Sequence, residues 1–399
     1  MIFQCGEFAL DSDRMELTEK GVSVPIEPQV FELLKYLIEH RDRVVGRDEL
    51  FETIWRGRIV SDSALSSRIK AARMVLGDSG ARQEWIKTIH GRGFRWVKPV
   101  EIISATEPAV GYSASTKGFA GPPVQDIRYC RTPDGVRIAY VTTGEGPVIV
   151  KAANWMSHLE FDLESSVWRH WIAALSRRHR LVRYDERCNG LSDRDVKDLS
   201  FDAMVSDLES VVDALDVDRF VLFGISQGCA VSVEYAVRHP ERVSHLILYG
   251  GFVKGWRFGS TVEVGQRIAM SSLIRTGWGQ DNSAFRQLFT SRFIPGGSKE
   301  QMDWFNELQR QSVSPAIAGD LHDVFGTIDV GHRLAQVTTP TLVLHARYDC
   351  EIPLESGRAF ATGIPGARFI TLESQNHILC DTEPAFARFV QEVTRFIAD

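Results

Sequence analysis

The stretch RFVLFGISQGCAVSVEYAVRHP, residues 219–240, restricts the possible folds more than any other part of the chain. VLFGI is short and apolar, as a strand buried on both faces must be, whereas CAVSVEYAVR carries a helical pattern that Pro240 stops. Only Ser226, Gln227 and Gly228 separate the two, so the chain must turn sharply at the serine. Glycines at 224 and 228 leave room for that turn, which exposes the Ser226 hydroxyl and aims a helix N-terminus at it. A serine presented in this way predicts a nucleophile; its buried strand requires a sheet around it, and its hydroxyl requires a base within reach.

Both requirements are met further along. The runs VIVKAA, RLVRYD, RFVLFGI, VSHLILYG, TLVLHA and RFITL alternate with helical segments from about residue 126 onward, the pattern of an α/β sheet covered by helices. Asp349 follows TLVLHA, and His377 follows RFITLE, with Glu383-Pro384 opening a final helix. A lone Asp is commonly a turn residue and a lone His a structural one. In the order Ser, Asp, His, each after a strand, they predict a nucleophile, a base and an orienting carboxylate at Ser226, His377 and Asp349. Asp185, also past a strand end, reads as a structural residue.

The segments YDERCNGLSD, GISQG, HPERVSHLILYGG, LVLHARYDCEIP and NHILCDTEPAF resemble the α/β-hydrolase family, and the resemblance covers residues 126–399. It implies attack on an ester, thioester, lactone or amide carbonyl, with no cofactor and no metal. The oxyanion donors would be the N–H of Gln227 and one from Ala153-Asn154-Trp155, so Asn154 and Trp155 are candidates. Many members carry His-Gly at that loop, and this chain departs from them there and again at Cys188, where glycine is common. Serine at 226, where haloalkane and epoxide specialists use aspartate, argues against those chemistries. Residues 253 to about 335 exceed a simple crossover and predict a helical cap rich in aromatic residues. Trp155, Phe252, Trp256, Trp278 and Trp304 are the expected lining of a pocket for an aromatic or apolar ligand.

Residues 1–98 have a different character. After short strand-like runs, PQVFELLKYLIEHRDRVV places Val30, Leu33, Leu34, Leu37 and Ile38 on one helical face, and GRDELFETIW supplies a second helix. A third, IVSDSALSSRIKAARMVLGD, has an apolar stripe of Leu65, Ile69, Ala72 and Leu76 opposite Ser63, Ser66, Ser67, Lys70 and Arg73. IKTIHGRGFRWV then reads as two strands hinged on glycines. From Arg43 to Lys98 there are twelve Lys or Arg against six Asp or Glu, so this half-module is basic although the whole chain carries a net charge of −6. These residues resemble the OmpR/PhoB-type winged-helix DNA-binding domain. The resemblance implies a third helix in the major groove and a wing along the backbone. Lys70, Arg73, Arg92 and Arg95 are then the expected phosphate contacts, and Ser66, Ser67 and Arg68 the expected base-edge or near-backbone contacts.

A length of 399 residues is too great for one ordinary core, which fits two modules. Gly, Ala, Ser, Thr and Pro dominate 99–125 and mark a linker. The six cysteines are scattered without a metal-binding spacing, and no run approaches the ~20 apolar residues of a membrane span. Reduced thiols and a soluble, cytoplasmic protein are expected. The predicted fold is thus α/β: a winged helix (α+β) at 1–98, a linker at 99–125, and an α/β-hydrolase fold with a helical cap at 126–399. The expected function is a one-component transcriptional regulator, homodimeric on promoter DNA, whose hydrolase domain binds a small organic ligand and carries a triad able to hydrolyse it. The alternative is a serine hydrolase with an accessory DNA-binding head.

Overall fold

The computed structural model describes residues 2–398 other than 12–15, 21, 25, 27, 56–61, 79–81, 90–91, 104–124 and 281. It divides into two compact units, Met1–Gly121 and Pro122–Asp399.

In the first unit, strands β1 (Ile2–Cys5), β2 (Phe8–Asp11), β3 (Glu16–Glu19) and β4 (Val22–Val24) precede helices α1 (Pro28–Glu39), α2 (Arg47–Trp55) and α3 (Asp62–Val75). A hairpin of β5 (Ile86–Ile89) and β6 (Gly93–Trp96) follows, then β7 (Glu101–Ile103). The apolar faces expected for α1 and α3 are buried together: Val30, Leu33, Leu34, Leu37 and Ile38 join Leu65, Ile69, Ala72 and Leu76 in one core with Ile86, Phe94 and Trp96 of the hairpin. The sheet runs β4-β3-β2-β1-β7. Its last member corrects the linker boundary, because β7 pairs antiparallel with β1 (Ile2 opposite Ile103) and so continues the module past residue 98. The rest of the expected linker, 104–124, lies outside the described residues.

The second unit contains β8 (Arg128–Arg131), β9 (Arg137–Thr143), β10 (Val148–Lys151), α4 (Leu159–Leu163), α5 (Arg169–Ser176), β11 (Arg180–Tyr184), α6 (Phe201–Asp213), β12 (Phe220–Ile225), α7 (Gly228–Arg238) and β13 (Val243–Tyr249). After the cap helices α8 (Thr261–Gly277), α9 (Ala284–Phe293), α10 (Lys299–Ser312) and α11 (Pro315–Phe325) come β14 (Thr341–Ala346), α12 (Leu354–Gly363), β15 (Arg368–Leu372) and α13 (Pro384–Ala398). The eight-stranded sheet has the order β15-β14-β13-β12-β10-β11-β9-β8. Strands β10 to β15 run parallel, and β9 and β8 close one edge antiparallel. Every residue of β12 and β14 is buried, as central parallel strands require. Serines cap three of the cap helices: Ser260, Ser298 and Ser314 each accept from the backbone N–H three residues on, and the first two form full capping boxes. Among the described residues, no helix is long and apolar enough to cross a membrane.

Candidate active site

Strand β12 delivers Ser226 to the turn with φ 55°, a left-handed backbone that a serine adopts only when its surroundings impose it. The glycines on either side of the turn are closely surrounded, mostly by backbone atoms. A Cβ on Gly224 would stand 2.7 Å from the Gly228 carbonyl oxygen and from Ser232 Oγ, and one on Gly228 would stand 2.8 Å from the Ala153 oxygen. Glycine at both places therefore lets the end of β12, the start of α7 and the loop after β10 close on one another. The Ser226 N–H donates to the Tyr249 oxygen at 3.1 Å, which ties the turn to β13. Gln227 caps α7 through its backbone alone, and its N–H meets no acceptor among the described residues. Its side chain is held elsewhere, donating to Glu186 Oε1 at 3.2 Å. Burial pushes that glutamic acid up to about 8, so it is largely protonated at neutral pH.

Asp349 sits just beyond β14 and His377 just beyond β15. Asp349 Oδ1 accepts the N–H groups of Glu351 (2.8 Å) and Ile352 (2.9 Å), leaving Oδ2 to accept from His377 Nδ1 at 2.8 Å. This network assigns the His377 proton to Nδ1 and the lone pair to Nε2. Nε2 is buried and, among the described residues, has no hydrogen-bond partner, which leaves it available to a hydroxyl in the same cavity. Burial opposes an imidazolium here, but the Asp349 carboxylate outweighs it and raises the His377 pKa above its ordinary value. Asp185 is fully buried and accepts from the N–H groups of Leu159 (3.2 Å) and Leu191 (2.8 Å), a structural clamp on two loops.

The cavity over these groups has a volume of about 480 Å³, within the usual range for small-molecule sites, and Ser226, Asp349 and His377 all line it. Asn154, Trp155 and Gln227 line it too, as do Phe252 and Trp256. The Asn154 side chain is spent on the loop, accepting from the Lys151 ammonium and donating to the Trp155 oxygen (3.2 Å). What this loop offers the cavity is thus backbone: the N–H groups of Asn154 and Trp155 have no acceptor among the described residues. Two pocket expectations need correction. Trp278 does not line the cavity; it is fully buried behind Trp155, its ring stacked on that indole at 5.3 Å. Trp304 also lies off the cavity, stacked on Phe161 at 4.8 Å. The sequence reading missed a polar group on the cap side. Arg267 of α8 donates to the Glu351 side chain and, at 3.0 Å, to its carbonyl, while Arg292 of α9 donates through Nε to Glu351 Oε2 at 2.6 Å. No local pattern announces it, because the partners are 84 and 59 residues apart. Among the described residues, no cluster of His, Cys, Asp or Glu is arranged to hold a metal ion.

The family description "alpha/beta hydrolase fold" matches residues 161–384, more than half of the chain. The chain belongs to the α/β-hydrolase family. The hydrolase domain is 29% identical over 225 residues to a putative carbamate hydrolase of Azorhizobium caulinodans, covering 54% of this chain and 81% of that protein. It is also 29% identical over 249 residues to a pimeloyl-[acyl-carrier protein] methyl ester esterase of Nitrosomonas europaea, covering 59% and 90%. Among solved structures, it is similar to an esterase from Exiguobacterium antarcticum (TM-score 0.58, 22% identity, 68% of this chain and 99% of that one). An enol-lactonase from Burkholderia xenovorans is similar at TM-score 0.57 and 21% identity, covering 68% and 100%. At such identities the structural likeness concerns the fold. A second description, "Transcriptional regulatory protein, C terminal", matches residues 21–96. The hydrolase domain is therefore joined in one chain to an OmpR/PhoB-type winged-helix domain.

In the winged-helix domain, Lys70 on α3 and Arg92 and Arg95 at the hairpin are exposed, as phosphate contacts would have to be. Lys87 on β5 is a further exposed cation that the sequence reading passed over. Arg68 is half-buried, and the side chains of Ser66 and Ser67 lie outside the described residues. Arg73 needs correction as a DNA contact. It is 7% exposed and donates to the Ile86 oxygen (3.1 and 2.7 Å) and to Thr88 Oγ1 (2.8 Å), pinning α3 to the hairpin.

Proposed function

We propose that this protein is a one-component transcriptional regulator: the winged-helix domain binds promoter DNA as a homodimer, and the hydrolase domain binds a small carbonyl compound and hydrolyses it. The observation that carries the reading is one chain that joins a DNA-binding domain to a cavity lined both by Ser226 and by the 2.8 Å His377–Asp349 pair. In the proposed reaction Ser226 Oγ attacks the carbonyl carbon while His377 Nε2 takes its proton. The N–H groups of Gln227 and of the Asn154-Trp155 loop steady the oxyanion. The bond to the leaving group breaks as His377 returns the proton to it. Water then releases the acyl group from Ser226 by the same proton route. Support comes from the names of the relatives, a carbamate hydrolase and a methyl ester esterase. A second reading, an enzyme first with DNA binding as an accessory, draws on the same His377–Asp349 pair, since a pure receptor has no use for a basic buried imidazole.

Ser226→Ala separates the readings. Hydrolysis of p-nitrophenyl esters is expected to fall at least about a thousandfold. Promoter affinity, read by fluorescence anisotropy on the DNA upstream of the gene, is expected to keep its response to the ester. A response that disappears with turnover would show that chemistry, not occupancy, is what is sensed. Absence of any salt-sensitive binding to that DNA would sink the regulator reading.

A further inference from the structure

The mechanism above uses no arginine, yet two guanidiniums line the cavity with the candidate triad. Arg267 and Arg292 share one carboxylate, that of Glu351, two residues beyond Asp349. Burial would raise the Glu351 pKa, but Arg267 and Arg292 overcome this and hold it at about 2, so the cluster is two cations and one anion at any ordinary pH. Arg292 spends only Nε on Glu351. Its two terminal nitrogens have no protein acceptor among the described residues, and its side chain remains 35% exposed, at the cavity. The other charges on the wall are already engaged: the Lys254 ammonium stands 3.3 Å from Asp329, Glu263 is the capping-box partner of Ser260, and the Asp349 carboxylate accepts from His377 Nδ1 and from the N–H groups of Glu351 and Ile352. The rest of the lining includes Phe252, Met270, Phe293 and Ile352, whose apolar side chains offer the terminal nitrogens of Arg292 no acceptor.

We infer that Arg292, supported by Arg267, is an anion subsite, and that the ligand of this cavity carries a carboxylate besides the carbonyl that Ser226 attacks. A single carboxylate would balance the cluster at two cations and two anions, and its two oxygens suit the two free nitrogens of one guanidinium. Glu351 holds the guanidiniums in place rather than competing for the subsite, because Arg267 and Arg292 Nε already occupy its oxygens. The inference deepens the hydrolase reading and rests on it.

The test compares p-nitrophenyl hexanoate with mono-p-nitrophenyl adipate on the full chain. Both esters have the same length, and only the second ends in a carboxylate. The expected result is Ser226-dependent turnover with kcat/KM about ten- to a hundredfold higher for the adipate, carried by KM. In Arg292→Gln the adipate-to-hexanoate ratio is expected to fall to near one, and in Arg292→Glu to drop below it. Turnover of hexanoate with no preference for adipate in the wild-type chain overturns the subsite whether or not the variants fold, and so does a preference that survives both substitutions. Absence of Ser226-dependent turnover of either ester overturns instead the hydrolytic reading beneath it.

Discussion

His377 is a base only when neutral, and Asp349 makes that neutrality harder to reach. With the imidazole pKa above its ordinary 6.5, the acidic limb of the kcat/KM profile is expected to have its midpoint above 6.5, activity rising with pH through it. Asp349→Asn removes the charge that sustains the shift, so the residual activity, reduced by about three to four orders of magnitude, should show its midpoint at lower pH. A wild-type midpoint below 6.5 would contradict the arrangement. The same linkage gives a stability term of definite sign: His377 contributes fully below its unfolded pKa, and the contribution is lost as pH rises through the higher folded value. Ser226, Asp349 and His377 were legible in the sequence because each is announced by its own strand end. Glu351 was not, since its role depends on helices that arrive from far along the chain.

At the scale of elements, α3 and the β5–β6 hairpin behave as one piece because Arg73 bridges them. The helical pattern could not reveal this. Arg73 lies one turn beyond Ile69, on the border of the buried stripe, and its principal acceptor is the main-chain oxygen of Ile86, which no side-chain pattern advertises. Arg73→Leu is therefore expected to destabilise the winged-helix domain by about 1–3 kcal/mol in urea denaturation, by leaving that carbonyl without its donor. Lys70→Ala, one turn earlier and exposed, is expected to leave stability within ~0.5 kcal/mol. It should lower the slope of log Kd against log salt by about one. Equal effects of the two substitutions on the salt slope would return Arg73 to the DNA surface. The cap teaches the same lesson: an aromatic-rich insertion was visible, but composition does not say which rings face inward. Trp155 lines the cavity, whereas Trp278, stacked on its ring, does not.

For the whole molecule, regulation by a ligand requires a coupling free energy between cavity and promoter, and such coupling is reciprocal. If an ester changes the promoter affinity of the Ser226→Ala chain by some factor, saturating promoter DNA must change the ester affinity of that same chain by the same factor. A typical coupling would be about 5- to 150-fold. Calorimetric titration of the ester with and without DNA checks this, and a ligand affinity indifferent to DNA would mean that the two domains merely share a chain. The two-domain plan was readable from the shift in composition and charge. Its boundary was not, since β7 belongs to the first sheet by virtue of pairing with β1, a partner a hundred residues earlier.

The turn at residue 226 is shaped by what stands at 224 and 228, and among the described residues the Ser226 hydroxyl makes no hydrogen bond. On the reading proposed above, the fold does not depend on that oxygen: Ser226→Ala would remove one atom and leave the cavity, the cap and the winged-helix domain in place, so hydrolysis and reception without turnover would lie a single substitution apart.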